Sequence, residues 1–163
     1  MACGENAVSY RQVLSVLLLL LSGTELAAAR DLALVSNKAN NVNAVTPADL
    51  AKICKAQTTR LPDGKALTFV MRAPSTPEMK MVLEKIFGMP GSEVNDLITA
   101  ANRGRSGRPA IMVVGSDDDL VNTVASMPGA VGIVDVYSIN SSVAVVKIAG
   151  KLPLEPGYLL HGN

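Results

Sequence analysis

Arg72, Ser75 and Thr76 stand just ahead of Pro77-Glu78, where the chain is expected to enter a helix, and that spacing suits the capture of an oxyanion. A helix start presents unsatisfied N–H groups and partial positive charge. Hydroxyls add donors, and a guanidinium four residues upstream can grip two oxygens at once. Thr76 also has the position of an ordinary helix cap, with proline at the first helical place. Pro77 removes one amide donor from such a site.

Two further places could serve the same ligand. Ser116 opens a second helix and brings another hydroxyl, although Asp117, Asp118 and Asp119 behind it already satisfy the helix dipole and repel an anion. One of these aspartates could instead accept a hydrogen bond from a protonated phosphate oxygen. Ser36 and Asn37 end the first expected strand, where open α/β sheets place ligands, or else simply form a turn. Arg103, Arg105 and Arg108 lie in a Gly/Ser-rich loop that would attract anions or a membrane surface, or remain solvated.

Catalytic and metal chemistry find no footing. The chain has one histidine, His161, in a Gly-flanked tail, and two cysteines, Cys3 and Cys54. No Ser-His or Cys-His pairing and no transition-metal cluster can be assembled from them, and no phosphate-binding P-loop or dinucleotide motif is present. The reading is of a protein without cofactor, metal site or enzymatic activity. Cys54, on an expected helix, reads as a small buried hydrophobe, with a reactive thiol as the other reading.

Residues 1–29 are read as a secretory signal peptide: Arg11 supplies the positive flank, Val13 to Leu21 the apolar core, and Ala27-Ala28-Ala29 a small-residue cut site. The apolar run is far short of the ~20 residues that span a bilayer. Cleavage after Ala29 leaves residues 30–163 for the periplasm or the medium, a length suited to one domain. With 15 basic and 14 acidic residues the charge is nearly balanced, and only two Phe and three Tyr are present. A nucleic-acid partner and an aromatic sugar platform are therefore not expected.

The elements that must position these side chains are legible. Leu32 to Val35 reads as a strand, Thr46-Pro47-Ala48-Asp49 as a helix start running to about Ala56, and Leu67 to Met71 as a second strand. Met79, Val82, Leu83, Ile86 and Phe87 form the stripe of a helix from Thr76 that Gly88 ends. Ser92 to Gly104 holds a third helix, and Ser116 to Met127 a fourth, with capping-box spacing at its start and Pro128-Gly129 at its end. Ile111 to Val114, Val131 to Asp135 and Val143 to Ile148 complete the strands, and the last dozen residues are expected on the surface. Interleaved helices and short apolar strands define an α/β fold with a mainly parallel or mixed sheet flanked by helices.

Several segments, in the same order, resemble the phosphate-type solute-binding proteins of ABC transporters. Gly115 to Asp135, GSDDDLVNTVASMPGAVGIVD, is similar to that family's "gsd…lv..v…pgaIGyv" segment. LALVSNKANN is similar to "vvvnksN", LAKICKAQTTRLPDGK to "l..iF.g….wpdGk", FVMRAPSTPEMKMVLEKIF to "v.R..gSGT…F", and KLPLEPGYLL to the tail of small members. The resemblance implies a single-lobe, type 2 periplasmic-binding-protein-like domain in which Arg72, Ser75 and Thr76 hold inorganic phosphate or a similar oxyanion. The glycine between the Ser and Thr is missing here, and so are the aromatics of the family's "FtGkg" region.

Full-length members close two lobes on the ligand, so a single lobe implies a shallow, weak site unless a homodimer or partner lobe covers it. A membrane transporter or sensor is the implied partner. The alternative is an exported interaction domain that keeps the fold and has lost the ligand.

Overall fold

The computed structural model describes residues 30–162; the expected signal peptide at residues 1–29 lies outside the described residues. Five strands form one mixed sheet in the order β4-β3-β5-β1-β6, with β1 at Leu32–Asn37, β3 at Thr68–Arg72, β4 at Ile111–Val114, β5 at Ala130–Asp135 and β6 at Val143–Val145. β4, β3 and β5 run parallel to one another. β1 runs antiparallel to both of its neighbours, β5 and β6. β2 (Ala44–Val45) pairs with β7 (Lys147–Ile148) in a small separate sheet.

Both faces of the sheet are covered, which is why β1, β3 and β5 read as nearly unbroken apolar runs. Leu32, Leu34, Phe69, Met71, Val131 and Ile133 face one side, against α1 (Pro47–Cys54), the segment 77–87 and α3 (Gly91–Asn102). Val35, Val70, Ala130 and Val134 face the other, against Leu120, Val121 and Val124 of α4 (Asp117–Ser126). Gly132 lets α4 approach closely: a Cβ there would meet Leu120 Cδ2 at 2.8 Å and the Val70 carbonyl oxygen at 3.0 Å.

Both well-capped helices start as their sequences dictate. The Thr46 hydroxyl accepts the Asp49 N–H at 3.1 Å, and the Ser116 hydroxyl accepts the Asp119 N–H at 3.0 Å. The helix expected from Thr76 is less regular. A 3₁₀ turn at Pro77–Met79 passes into a single α turn, α2 (Lys80–Val82), and then a π turn at Leu83–Phe87. Thr76 does not cap it; its hydroxyl donates to the Ala73 carbonyl at 2.8 Å, so the cap reading is corrected.

Three other expectations change. α3 begins at Gly91 behind Pro90, a residue before Ser92. The run from Val143 to Ile148 is two strands, because Val143–Val145 pairs with β1 and Lys147–Ile148 passes over to pair with β2. The tail is divided: residues 152–157 are mostly exposed, as expected, but Tyr158 and Leu160 are buried, and the Leu160 carbonyl accepts the Leu32 N–H at 3.0 Å. His161 Nδ1 stands 2.7 Å from Asp31 Oδ1, which also accepts the Gly162 N–H.

β4 is an edge strand, and a side chain substitutes for its missing neighbour. Asn102 Oδ1 accepts the Ala110 and Ile111 N–H groups at 2.9 and 3.1 Å, while Asn102 Nδ2 donates to the Ile111 carbonyl at 2.8 Å. The amide thus acts as one residue of an absent strand, which blunts the edge.

Candidate functional site

The carboxyl ends of β3, β4 and β5 lie along one edge of the sheet, since Arg72 registers with Val114 and the three strands are parallel. In open α/β sheets this edge is where ligands bind. Arg72 closes β3 and is followed by the loop bearing Ser75 and Thr76. β4 leads through Gly115 into Ser116 and α4, and β5 leads into a 3₁₀ turn at Val136–Ser138 capped by the Asp135 carboxylate on the Tyr137 N–H at 2.8 Å.

These ends bring Arg72, Ser75, Thr76, Ser116, Asp117 and Ser138 to one edge. Arg72 Nη1 contacts Asp117 Oδ1 at 2.8 Å, with both side chains about four-fifths buried, and Ser138 Oγ makes a longer 3.4 Å contact to Asp117 Oδ2. Arg72 Nε is buried and has no hydrogen-bond partner among the described residues. Ser75 is exposed. The Thr76 N–H and hydroxyl both bond to the Ala73 carbonyl, which spends the donors that the sequence offered to an anion.

Ser36 is not part of this group. Because β1 runs against β5, Ser36 registers with Val131, which registers with Phe69, so it lies at the amino end of β3 while Arg72 closes the other end. It is buried at 1% exposure, and its hydroxyl accepts Asn40 Nδ2 at 2.9 Å. Asn40 in turn donates to the Ala130 carbonyl and accepts the Gly129 N–H, while Asn37 donates to the Val124 and Ala125 carbonyls at the end of α4. The Ser36–Asn40 segment stitches the Pro-Gly turn and a helix end to the sheet.

Ser138 is a site residue that sequence reasoning did not single out, and Asp117 was legible only as one of three aspartates that could accept from a protonated phosphate oxygen. Ser138 carried no signal beyond lying three residues past a strand. Elsewhere, Cys54 is fully buried and burial pushes its thiol well up, so it is a core residue. Among the described residues no group of three or more His, Cys, Asp or Glu side chains could hold a metal ion.

No protein-family model matches the sequence, and no curated protein is similar to it. Solved structures do share its architecture. An ABC-type phosphate transport receptor from Vibrio cholerae is 21% identical with a TM-score of 0.58, over 75% of this chain and 47% of that one. A putative phosphate ABC transporter substrate-binding protein with bound phosphate, from Clostridium perfringens, is 18% identical with a TM-score of 0.59, over 74% and 46%. PstS from Borrelia burgdorferi is 14% identical with a TM-score of 0.62, over 82% and 55%. The chain spans about half the length of these structures. It therefore has the fold of the phosphate-type ABC transporter substrate-binding proteins, in the form of one portion of it.

Proposed function

We propose that this chain is an exported solute-binding-protein-like module, not an enzyme, that binds phosphate or a similar oxyanion weakly at the Arg72 edge. The observation that carries the reading is Arg72 itself. It stands at the end of a central parallel strand, with an unpartnered Nε, beside the exposed Ser75 and the start of α4. Residues 30–163 act as one domain and the stretch before them as the export signal. A transporter or sensor is the partner in keeping with the fold.

Electrostatics favour weak affinity. A unit charge at about 4 Å is worth about 4 kcal/mol near a protein surface, so the carboxylate that neutralises Arg72 offsets much of its pull on an anion. Asp117 also suits one ligand better than another. Monohydrogen phosphate can donate its proton to that carboxylate, whereas sulfate cannot.

The Arg72–Asp117 pair also supports the second reading, an interaction domain of the same fold that no longer binds a ligand, because the pair satisfies itself. Thermal unfolding at matched ionic strength separates the two. With a Kd of ~5 mM, about 50 mM phosphate adds about 1.4 kcal/mol, a rise of a few degrees over chloride. Arg72→Ala should show no such rise, and equal melting of the wild type in both salts supports the second reading.

A further inference from the structure

The edge opposite Arg72 gathers cations from three separate segments. Lys38 follows β1; its neighbour Asn40 bonds to Gly129 at the start of β5, and Asn41 N–H reaches Asp63. Arg60 precedes β3 in a short hairpin, held there by the Leu67 N–H on the Thr59 carbonyl. Arg103 and Arg105 follow α3 at Asn102, which is fixed to Ala110 and Ile111 at the start of β4. Arg108 Nε donates to Thr68 Oγ1 at 2.7 Å at the start of β3.

Lys38, Arg60, Arg103 and Arg105 are exposed and Arg108 is half-buried. None of the five makes an ion pair among the described residues. The acid placed in this region by its contacts, Asp63, is matched by Lys65. The carboxyl ends of α3 and α4 point the same way, but two helix ends bring only about one negative charge between them. The edge therefore carries a strong positive field, whereas Asp117, Asp118 and Asp119 lie at the opposite edge.

We infer that this basic edge docks on an anionic phospholipid surface, holding the Arg72 edge toward solution. The chemistry favours lipid headgroups over other polyanions. A stable protein interface needs a buried apolar or aromatic centre, and the exposed large apolar side chains among the described residues, Val113, Tyr137, Leu152 and Leu154, all lie outside the segments that carry the patch. Single-stranded nucleic acid needs stacking aromatics, yet Phe69, Phe87 and Tyr158 are buried and Tyr137 lies at the other edge. A headgroup surface requires only clustered cations within a Debye length. The inference does not depend on phosphate binding at Arg72.

Co-sedimentation of the full chain with phosphatidylglycerol–phosphatidylcholine vesicles and with pure phosphatidylcholine vesicles tests it. Any attachment through the apolar residues before Arg30 is common to both vesicles and to every variant, so the readout is the ratio of the two partition coefficients. That ratio should exceed ten in about 0.1 M salt and collapse toward one in about 1 M salt. Arg103→Gln with Arg105→Gln should lower it about 30-fold or to one, whichever comes first, and Lys80→Gln should leave it unchanged. Lys38→Gln with Arg60→Gln provides a second pair from different segments should the first melt early. A ratio near one in wild type, or a ratio insensitive to both pairs, would overturn the assignment.

Discussion

Arg72 Nη1 and Asp117 Oδ1 meet at 2.8 Å across the ends of two neighbouring parallel strands, while the adjacent Arg72 Nε is buried without a partner. In the proposed site the pair couples the Arg72 guanidinium to a carboxylate that would read the anion's protonation. Asp117→Asn keeps the shape and removes the charge. It should raise sulfate affinity several-fold and erase the preference for phosphate, measured by competition calorimetry. A variant that still prefers phosphate to the same degree would show that Asp117 takes no part in selection.

Removal of the amide that substitutes for a strand beside β4 should be costly. Asn102→Ala leaves the Ala110 and Ile111 N–H groups and the Ile111 carbonyl without their partner. The expected loss is about 1–3 kcal/mol, seen as a lower urea midpoint with unchanged slope. Faster aggregation should accompany it, since the edge strand is no longer blunted.

The tail should behave as core. Leu160 is 0% exposed, so Leu160→Ala is expected to cost about 2–5 kcal/mol, whereas Leu154→Ala, at 67% exposure, should change stability by less than about 0.5 kcal/mol. Equal, small effects of the two would contradict the packing of residues 158–162.

Alkaline pH should weaken the fold through Tyr158. Burial pushes its phenol up from 10.0 to about 12, so the unfolded chain ionises first. The Tyr158 contribution is thus constant below about pH 10 and falls by about 1.4 kcal/mol per unit as pH rises toward 12, on top of a loss in the same direction from the buried Cys54 thiol. Tyr158→Phe should remove that part of the slope above pH 10, as followed by urea unfolding between pH 9 and 12, and leave the part that Cys54 contributes.

The strands and α4 were legible because their signals are local: apolar runs of strand length, and a Ser with acids behind it at a helix start. Arg72 and Ser116 were legible for the same reason, as a strand end and a helix cap. The pairing of Arg72 with Asp117 was not, since it depends on β4 lying beside β3. Ser36 was assigned to the wrong edge because an apolar run does not reveal its direction, and β1 is antiparallel to the strands that carry the site. The end of the tail was misjudged because Pro and Gly suggest a surface path throughout, while two apolar residues, Tyr158 and Leu160, decide where its last turn packs.

Titration of the protein with phosphate by isothermal calorimetry, wild type beside Arg72→Ala, bears most directly on oxyanion capture. The expected result is saturable heat with a millimolar or tighter Kd that disappears in the variant while its melting behaviour stays cooperative. No saturable heat from the wild type, or the same Kd in both proteins, would contradict the account.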